Sequence, residues 1–284
     1  MTVSRIGFAY NPTFEAAVEL SARAAGWCRL RGIEEWQVPS GETEALVRRL
    51  PSTDALVVLG GDGTFLRAAR AVSEVDVPLI GINLGKVGFL SKAEAGELED
   101  VLSRIVDGDY RIDERLALEG RVLVGGRPAD ADTAVRHFAL NDIVIARGAL
   151  ARVCRLDVEI DDSHLATFIA DGLIVASPTG STGYSFSAGG PILDPVSRNL
   201  VVTPIAAYLS AIRSVVVSPR QTVRCTVIDA HEALVSIDGR EDLTIDVGDV
   251  IEVRAADRPI RLIEPTGAEP FWDLLRRKVA LLPS

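Results

Sequence analysis

The sequence predicts an α/β fold with an N-terminal, Rossmann-like α/β domain, a second, β-rich and β-sandwich-like domain, and a closing C-terminal helix. Short apolar runs alternate with amphipathic runs in the first third of the chain, which is typical of a parallel sheet covered by helices. From about Tyr110, strand-like runs follow one another between turn residues, and the last apolar segment has helical spacing. We therefore expect the α/β domain at residues 1–112, the β-rich domain at 113–266, and the helix, packing back, within 267–284.

The first domain is predicted to alternate strands and helices along its whole length. Its strands are short apolar runs that end at turn residues, and its helices have apolar residues three and four positions apart. The predicted strands are Arg5–Tyr10, Glu35–Val38, Asp54–Leu59 and Val77–Asn83, and the predicted helices are Phe14–Arg31, Thr43–Leu50, Phe65–Val72 and Glu97–Val106.

The second domain is predicted to consist mainly of strands. The runs that predict them are Arg121–Val124, Phe138–Ala146, Val153–Ile160, Leu173–Ala176, Thr222–Ile228, Ala233–Ile237 and Val250–Arg254. The closing helix is predicted at Phe271–Leu282, where apolar residues recur at helical spacing.

The composition limits the classes of protein to which the chain can belong. With 30 Lys and Arg against 40 Asp and Glu, the formal net charge is -10, which argues against nucleic acid as a partner. The cysteines are far apart and form no CxxC pair, so neither a disulfide framework nor a thiolate zinc site is expected. No secretory pattern and no continuous apolar span is visible, so we expect a cytoplasmic protein without a membrane partner.

A glycine-rich turn, GGDGT at Gly60–Thr64, lies directly between a predicted strand and a predicted helix. Glycines let the backbone approach a ligand closely, and the first N–H groups of a helix favour phosphate. The turn is therefore predicted to hold an oligophosphate, although it matches neither a Walker loop nor GxGxxG. An ordinary tight turn is the alternative.

Asp62 is the acidic residue of this glycine turn. A helix N-terminus stabilises a carboxylate, so Asp62 is expected to be ionised near neutral pH. A carboxylate among phosphates is unfavourable unless it meets a metal ion or accepts a proton. Asp62 is therefore a candidate general base toward an attacking hydroxyl, or a partner of metal-bound water.

A second segment, Ser177–Gly190, is rich in Gly, Ser and Thr and lies between two apolar anchors. We call it the Ser/Thr/Gly segment. Its hydroxyl and N–H groups suit ribose and phosphate oxygens, and Tyr184 can stack or hydrogen-bond at a pocket edge. A flexible surface loop is the alternative.

Two short polar motifs are weaker signals. Asn141 and Asp142 interrupt an otherwise apolar run, where buried polar side chains need hydrogen-bond partners. They could form hydrogen bonds with the edge of a base and with a ribose diol. A satisfied turn or bulge is an equal alternative. The pair Asp238-Gly239 is above all a hairpin signal.

Taken together, these segments resemble the bacterial NAD kinases over nearly the whole chain and in the family's order. GGDGT alone is shared with diacylglycerol and sphingosine kinases, whereas the Ser/Thr/Gly segment is far more specific. The matching segments are GGDGT at Gly60–Thr64, NLGKVGFL at Asn83–Leu90, ALND at Ala139–Asp142, DGLIVASPTGSTGYSFSAGGPI at Asp171–Ile192, SIDGR at Ser236–Arg240 and FWDLLRRK at Phe271–Lys278.

The resemblance implies a kinase that transfers a phosphoryl group to the 2′-hydroxyl of the adenosine ribose of NAD, giving NADP. ATP with a divalent metal ion, magnesium being expected, or inorganic polyphosphate would be the donor. Asp62 would be the general base, and no metal ligand is identified. The implied binding residues are Gly61, Gly63 and Thr64 at the phosphates, Phe89 along the adenine, Asn141 and Asp142 at the adenine and ribose, Asp171, Thr179, Thr182, Gly183, Tyr184 and Ser187 along the rest of NAD, and Asp238 near the donor or the reactive ribose.

The resemblance also implies a homodimer or homotetramer. Arg67, Arg70 and Lys86 are the cations nearest the glycine turn in sequence, and for the arginines a solvated helix face is the alternative. Two other functions stay open at this point. One is a lipid or other small-molecule kinase that shares the GGDGT turn, and the other is a non-catalytic dinucleotide sensor.

Overall fold

The structure, a computed structural model, describes residues 3–85, 88–126, 135–148 and 153–280. The chain forms two compact units. Unit 1 comprises Met1–Glu114 and Ile260–Ser284, and unit 2 comprises Arg115–Pro259.

The predicted strands and helices occur in the predicted order. The strands are β1 Arg5–Tyr10, β2 Glu34–Pro39, β3 Ala55–Leu59, β4 Leu79–Asn83, β5 Ser91–Glu94, β6 Tyr110–Arg115, β7 Leu118–Leu123, β8 Arg136–Ala139, β9 Asp142–Arg147, β10 Cys154–Ile160, β11 Ser163–Ala170, β12 Gly172–Ala176, β13 Leu200–Ile205, β14 Val215–Val217, β15 Val223–Asp229, β16 Ala233–Ile237, β17 Arg240–Ile245, β18 Val250–Ala255 and β19 Ile260–Pro265. The helices are α1 Glu15–Leu30, α2 Thr43–Arg49, α3 Asp62–Val72, α4 Leu98–Asp107, α5 Tyr184–Ser187 and α6 Phe271–Ala280. Of these elements, β5, β6, β11, β13, β14, β17, β19 and α5 were not predicted.

Unit 1 is built on a seven-stranded sheet in the order β2-β1-β3-β4-β19-β6, with β5 paired to β4. The pairs of β1 with β2 and β3, and of β4 with β3, β5 and β19, are parallel. Every residue of β3 and β4 is buried, as expected for central parallel strands covered on both faces. The predicted α/β domain is thereby confirmed.

Unit 2 contains two six-stranded sheets, ordered β11-β10-β15-β18-β7-β8 and β14-β13-β12-β9-β16-β17. One hydrophobic core joins them, because Leu156 and Val253 of the first sheet and Ile143 and Leu173 of the second belong to the same buried cluster. Alternating inward-facing apolar residues from two antiparallel sheets are what a sandwich requires. The predicted β-rich, sandwich-like architecture is confirmed.

Three local features differ from the expectations. The predicted strand at Phe138–Ala146 is two strands, β8 and β9, which are separated at Leu140 and Asn141. The helix expected from Phe65 begins at Asp62 instead. β19 extends the sheet of unit 1, whereas the expected boundary at residue 266 assigns it to the β-rich domain.

The closing helix is present as α6 and belongs to unit 1, while residues 281 and 282 of the predicted helix lie outside the described part of the chain. Among the described residues, no helix combines the length and the apolar character that a membrane crossing needs. The expected cytoplasmic location stays a prediction.

Candidate functional site

The glycine turn connects the buried strand β3 to the first turn of α3. Gly60 donates its backbone N–H to the carbonyl of Ile82 on β4 at 3.0 Å, which ties the turn to the sheet. A Cβ on Gly60 would lie 2.6 Å from Thr64 Oγ1, so the chain can fold back tightly only with glycine here. Gly61 is the N-cap residue and supplies no side chain to the helix end. The turn therefore presents backbone at a helix N-terminus, as a phosphate site requires.

Asp62 is the first residue of α3, and its carboxyl is turned toward the loop that follows β4. Its Oδ1 atom is buried and has no hydrogen-bond partner among the described residues. The backbone of Gly88 lies so close that any Cβ there would collide with this carboxyl. A buried, unpartnered carboxylate oxygen is costly unless a ligand supplies its partner.

Burial raises the pKa of Asp62 above the usual carboxyl range. The backbone N–H groups of Phe89 and Leu90 and the positive charge of Lys278 oppose this rise in pKa without cancelling it. Removal from water thus outweighs the stabilisation of the anion by the nearby backbone N–H groups. A carboxylate with a raised pKa is a stronger base than an exposed one.

Phe89 packs against the C-terminal helix. Its ring centroid lies 6.2 Å from that of Phe271, and Lys278 Nζ lies 4.8 Å from the Phe89 centroid. One face of the ring is thus occupied by a cation, so the adenine contact implied by the resemblance would need the other face.

Arg67 is held inside unit 1 and does not form a solvated helix face. Its Nε donates to Ser40 Oγ at 3.0 Å, and its Nη2 donates to Thr64 Oγ1 at 3.3 Å. The Thr64 hydroxyl is buried in this contact. Arg67 therefore places a positive charge beside the glycine turn. Arg70 lies in the last turn of α3, and Lys86 lies outside the described residues.

In unit 2, Asp238 supports the turn between β8 and β9. Its carboxylate accepts the backbone N–H groups of Leu140 at 2.9 Å, Asn141 at 2.7 Å and Asp142 at 3.2 Å. The residues Asp238 and Gly239 have φ of 51° and 70°, so they form the hairpin between β16 and β17 that the Asp-Gly pair predicts. With its oxygens used in this way, Asp238 shapes the backbone of the Asn141–Asp142 turn.

The Ser/Thr/Gly segment begins on the same turn. Ser177 donates its N–H to the Asn141 carbonyl at 2.8 Å and its hydroxyl to the Leu140 carbonyl at 2.5 Å. Gly180 lies against the Asn141 backbone, where a Cβ would not fit. This start of the segment is therefore anchored, which disfavours a flexible loop.

Two buried polar side chains lie at this junction. Thr179 Oγ1 is buried and has no hydrogen-bond partner within the described chain, and Asp142 is buried, with 6% of the residue exposed. Burial, together with the neighbouring charge of Asp238, raises the pKa of Asp142 to about 7. Burial also raises the pKa of Asp238, although three backbone N–H groups oppose it. A buried, unpaired hydroxyl near a buried carboxyl indicates a ligand that brings hydrogen-bond donors.

The other predicted residues of this segment are dispersed. Thr182 donates to the Thr179 carbonyl at 3.2 Å, whereas Tyr184 and Ser187 are exposed on α5 and Gly183 is partly buried. A Cβ on Gly183 would lie 3.9 Å from Asp142 Oδ2. Asp171 lies apart from Asp142 and Thr179 in the chain, because Asp171 precedes β12 and the Ser/Thr/Gly segment follows β12. It pairs with Arg147 at 2.7 Å.

Sequence reasoning did not single out Lys278, whose positive charge acts on the Asp62 carboxyl. A signal was available, since Lys278 follows Phe271, Leu274 and Leu275 at the helical spacing that makes one face. A lysine on an otherwise apolar helix face indicates that its charge interacts with another group in the fold.

The residues described here do not by themselves form a metal site. Among them, no group of three or more His, Cys, Asp or Glu side chains could hold an ion. Asp62 Oδ1 is a single unpaired carboxylate oxygen, and magnesium at such sites is held by one or two carboxylates together with the substrate phosphates and waters. No step below depends on a metal ligand from the protein.

Comparison with known proteins identifies the relatives of this chain. Its residues 6–110 match the model of the ATP-NAD kinase N-terminal domain, and residues 140–265 match that of the ATP-NAD kinase C-terminal domain. An NAD kinase of Heliobacterium modesticaldum is 39% identical over 283 residues, covering 96% of this chain and 98% of the relative. An NAD kinase of Moorella thermoacetica is 42% identical over 257 residues, covering 90% of this chain and 76% of the relative.

Solved structures of similar fold lead to the same family. An NAD kinase from Archaeoglobus fulgidus in complex with ATP has a TM-score of 0.77 at 25% identity and covers 98% of this chain and 100% of its own. Yeast NADH kinase complexed with NADH has a TM-score of 0.86 at 23% identity, covering 100% of this chain and 89% of its own, and shows the fold alone. By its sequence over nearly its full length, this chain belongs to the NAD kinase family.

Proposed function

We propose that this enzyme transfers the terminal phosphoryl group of ATP to the 2′-hydroxyl of the adenosine ribose of NAD, with Asp62 as the general base. The observation that supports this role is the buried, unpaired Oδ1 of Asp62 at the N-terminus of α3. In the reaction the ribose oxygen attacks phosphorus, the bond to the leaving ADP oxygen breaks, and the hydroxyl proton moves to Asp62. The products are NADP and ADP.

The surroundings of Asp62 suit this step. Phosphoryl transfer passes through a loose transition state, so orienting the hydroxyl contributes more than a very strong base would. The pKa of Asp62, which burial raises, brings the base closer to the operating pH, where general-base catalysis is most efficient. The N-terminus of α3 and the charge of Arg67 favour the donor phosphates beside it.

The turn braced by Asp238 is the proposed contact for the adenosine half of NAD. Asp142 and Thr179 are buried, Thr179 Oγ1 has no hydrogen-bond partner within the described chain, and ribose hydroxyls can donate to both side chains. Asn141 precedes Asp142, on a backbone fixed by Asp238 and Ser177. We assign Asp238 the role of holding this turn. Tyr184 and Ser187 stay candidate contacts for the rest of the dinucleotide, and Asp171 is the weakest candidate.

ATP is the proposed donor, because the Archaeoglobus fulgidus enzyme of similar fold was solved in complex with ATP. Polyphosphate as an alternative donor, magnesium as the activating ion and a homodimer or homotetramer stay predictions. Incubating the protein with NAD, each donor in turn and Mg²⁺, followed by identification of NADP, tests the reaction. Phosphorylation of diacylglycerol under the same conditions would instead support a lipid kinase, and saturable NAD binding without NADP would support a sensor.

Asp62→Asn tests the role of the base. We expect NAD affinity to stay within a few fold and kcat to fall by about 10²–10⁴, because the amide cannot accept the proton. Steady-state NADP formation and calorimetric NAD binding measure the two quantities. Asp162→Asn, at a carboxylate that is 99% exposed, is the matched control and should leave both unchanged. Turnover at the wild-type rate in Asp62→Asn would remove this residue from the mechanism.

A further inference from the structure

Lys278 differs from the other basic residues of the C-terminal helix. Arg276 pairs with Asp273 at 3.2 Å and Arg277 pairs with Glu269 at 2.7 Å, so both have a carboxylate partner on the surface. Lys278 is partly buried, and no carboxylate oxygen of the described residues lies within ion-pair distance of its Nζ. A half-buried ammonium without a close counter-ion is unfavourable unless the site needs its charge.

The position of Lys278 is fixed by aromatic contacts. Its Nζ lies 4.8 Å from the centroid of the Phe89 ring, a cation–π distance. Phe89 in turn contacts Phe271, seven positions before Lys278 on the same face of α6, at 6.2 Å between centroids. The helix and the loop after β4 thus hold the ammonium group in one place.

This place adjoins Asp62. The loop that carries Phe89 also carries Gly88, whose backbone lies against the Asp62 carboxyl, and the N–H groups of Phe89 and Leu90 face that carboxyl. Lys278 is the charged side chain that acts on Asp62 from α6, and it favours the carboxylate. The cation–π contact with Phe89 thus places the ammonium group on the loop that faces the Asp62 carboxyl.

We propose that Lys278 is a positioning residue for catalysis: its ammonium group, held on Phe89 by α6, supplies the counter-charge that keeps the half-buried Asp62 carboxyl in its proton-accepting form. The proposal rests on the proposed role of Asp62 as the base. Opposite charge near a carboxyl favours its ionised form, and a low local dielectric strengthens that effect. The C-terminal helix is therefore part of the catalytic apparatus and not only a closing element.

The pH dependence of kcat/KM for NADP formation tests this proposal. In Lys278→Met the acidic limb of the profile should move to higher pH, because more protons must be removed before Asp62 is ionised. We expect kcat/KM to fall about three- to tenfold on the acidic limb and to approach wild type on the plateau at higher pH. Lys278→Arg should restore the profile, and Arg276→Met on the exposed side of the same helix should not change it.

Three results would overturn the proposal. They are an unchanged profile in Lys278→Met, a loss by the same factor at every pH, and a further loss when Lys278→Met is added to Asp62→Asn. Thermal unfolding identifies variants that fail to fold, and Lys278→Gln replaces Lys278→Met if that one does. If Asp62→Asn itself keeps wild-type turnover, the proposed function of Asp62 fails, whatever Lys278 does. If Asp62→Asn is inactive and Lys278→Met is normal, only this inference fails.

Discussion

The Asp62 carboxyl experiences two opposing influences on its pKa. Its place at the start of α3 and the nearby N–H groups favour the anion, whereas burial favours the protonated acid and dominates. A ligand that donates a hydrogen bond to Oδ1 would satisfy the buried oxygen. Burying the unpaired Oδ1 of Asp62 destabilises the free enzyme. The same burial leaves this oxygen available to accept a hydrogen bond from a substrate hydroxyl.

Asp142 makes stability depend on pH in a defined direction. Burial and Asp238 raise its pKa from 3.8 to about 7, so the folded protein keeps a proton that the unfolded chain has lost. The free energy of unfolding should therefore decrease as pH rises between about 4 and 7. Asp142→Asn should reduce this decrease, which calorimetric unfolding of the ligand-free enzyme from pH 4.5 to 8 would measure.

The control for this prediction is Asp157→Asn, at a carboxylate on the same sandwich that pairs with His164 at 2.9 Å and is partly exposed. Its free energy of unfolding should keep the decrease that Asp142 causes as pH rises between about 4 and 7. An Asp142→Asn variant with the wild-type slope over the whole range would contradict the raised pKa.

The hairpin between β16 and β17 fixes the turn between β8 and β9 through one side chain. In Asp238→Asn the residue still tolerates a φ of 51°, but an amide cannot accept all the N–H groups that the carboxylate accepts. We expect the free energy of unfolding to fall by about 1–3 kcal/mol and the KM for NAD to rise, because a buried N–H is left unpaired. Urea unfolding and steady-state kinetics measure these effects.

Asp161→Asn is a matched control for that experiment. Asp161 also has a positive φ, 55°, and its carboxylate accepts the Thr222 N–H at 2.9 Å, but in an exposed hairpin. The KM for NAD should stay at the wild-type value in this variant. An equal rise of KM in both variants would show that Asp238 has no specific effect on the dinucleotide contact.

The loop after β4 approaches Asp62 so closely that glycine is required at position 88. In Gly88→Ala the new Cβ would collide with the Asp62 carboxyl and displace it. We expect kcat to fall by about 10²-fold while the protein stays folded, since small misplacements of a catalytic group have effects of that size. Gly85→Ala is the matched control, because a Cβ at Gly85 meets nothing within 4 Å. Steady-state kinetics and thermal unfolding are measured for both variants. Similar kinetics in the two variants would contradict the close approach.

Across the whole molecule, the chain returns from unit 2 to complete the sheet of unit 1. Glu264 on the returning β19 pairs with Lys92 on β5 at 3.1 Å and with Arg111 on β6 at 2.9 Å. The Lys92 and Glu264 side chains are only 8% and 7% exposed, so removing the carboxylate leaves a buried, unpaired ammonium. We expect Glu264→Gln to lower the free energy of unfolding by about 3 kcal/mol at neutral pH.

This loss should itself depend on pH. Burial alone would raise the pKa of Glu264. The positive charges of Lys92 and Arg111 outweigh burial and hold this pKa below its usual value of 4.5. The stabilisation is therefore present above pH 4.5 and is lost as pH falls through the lowered pKa. Denaturant unfolding at several pH values measures the difference in the free energy of unfolding between wild type and Glu264→Gln.

Asp76→Asn, which removes an exposed ion pair with Arg261, is the control and should change the free energy of unfolding by less than about 1 kcal/mol. A Glu264→Gln effect as small as this control would refute the prediction.

The order of elements could be predicted because it depends on local periodicity. The runs at Arg5–Tyr10 and Ala233–Ile237 form strands with the predicted bounds, since alternation and turn residues act within a few positions. The sheet to which β19 belongs could not be predicted, because the local sequence of a strand does not determine which strand it pairs with. The break at Leu140 and Asn141 was also missed, because the carboxylate that sustains it comes from Asp238, far along the chain.

The sequence by itself determined the α/β and β-rich architecture, the glycine turn with its carboxylate and the kinase family, since these depend on residue types and their order along the chain. Tertiary structure alone decided that Asp62 has a raised pKa, that Asp238 holds a distant turn and that Lys278 lies on Phe89, in the loop that faces Asp62. The physical reason is that desolvation and electrostatic contact depend on which distant residues pack around a group, and packing is a property of the folded chain.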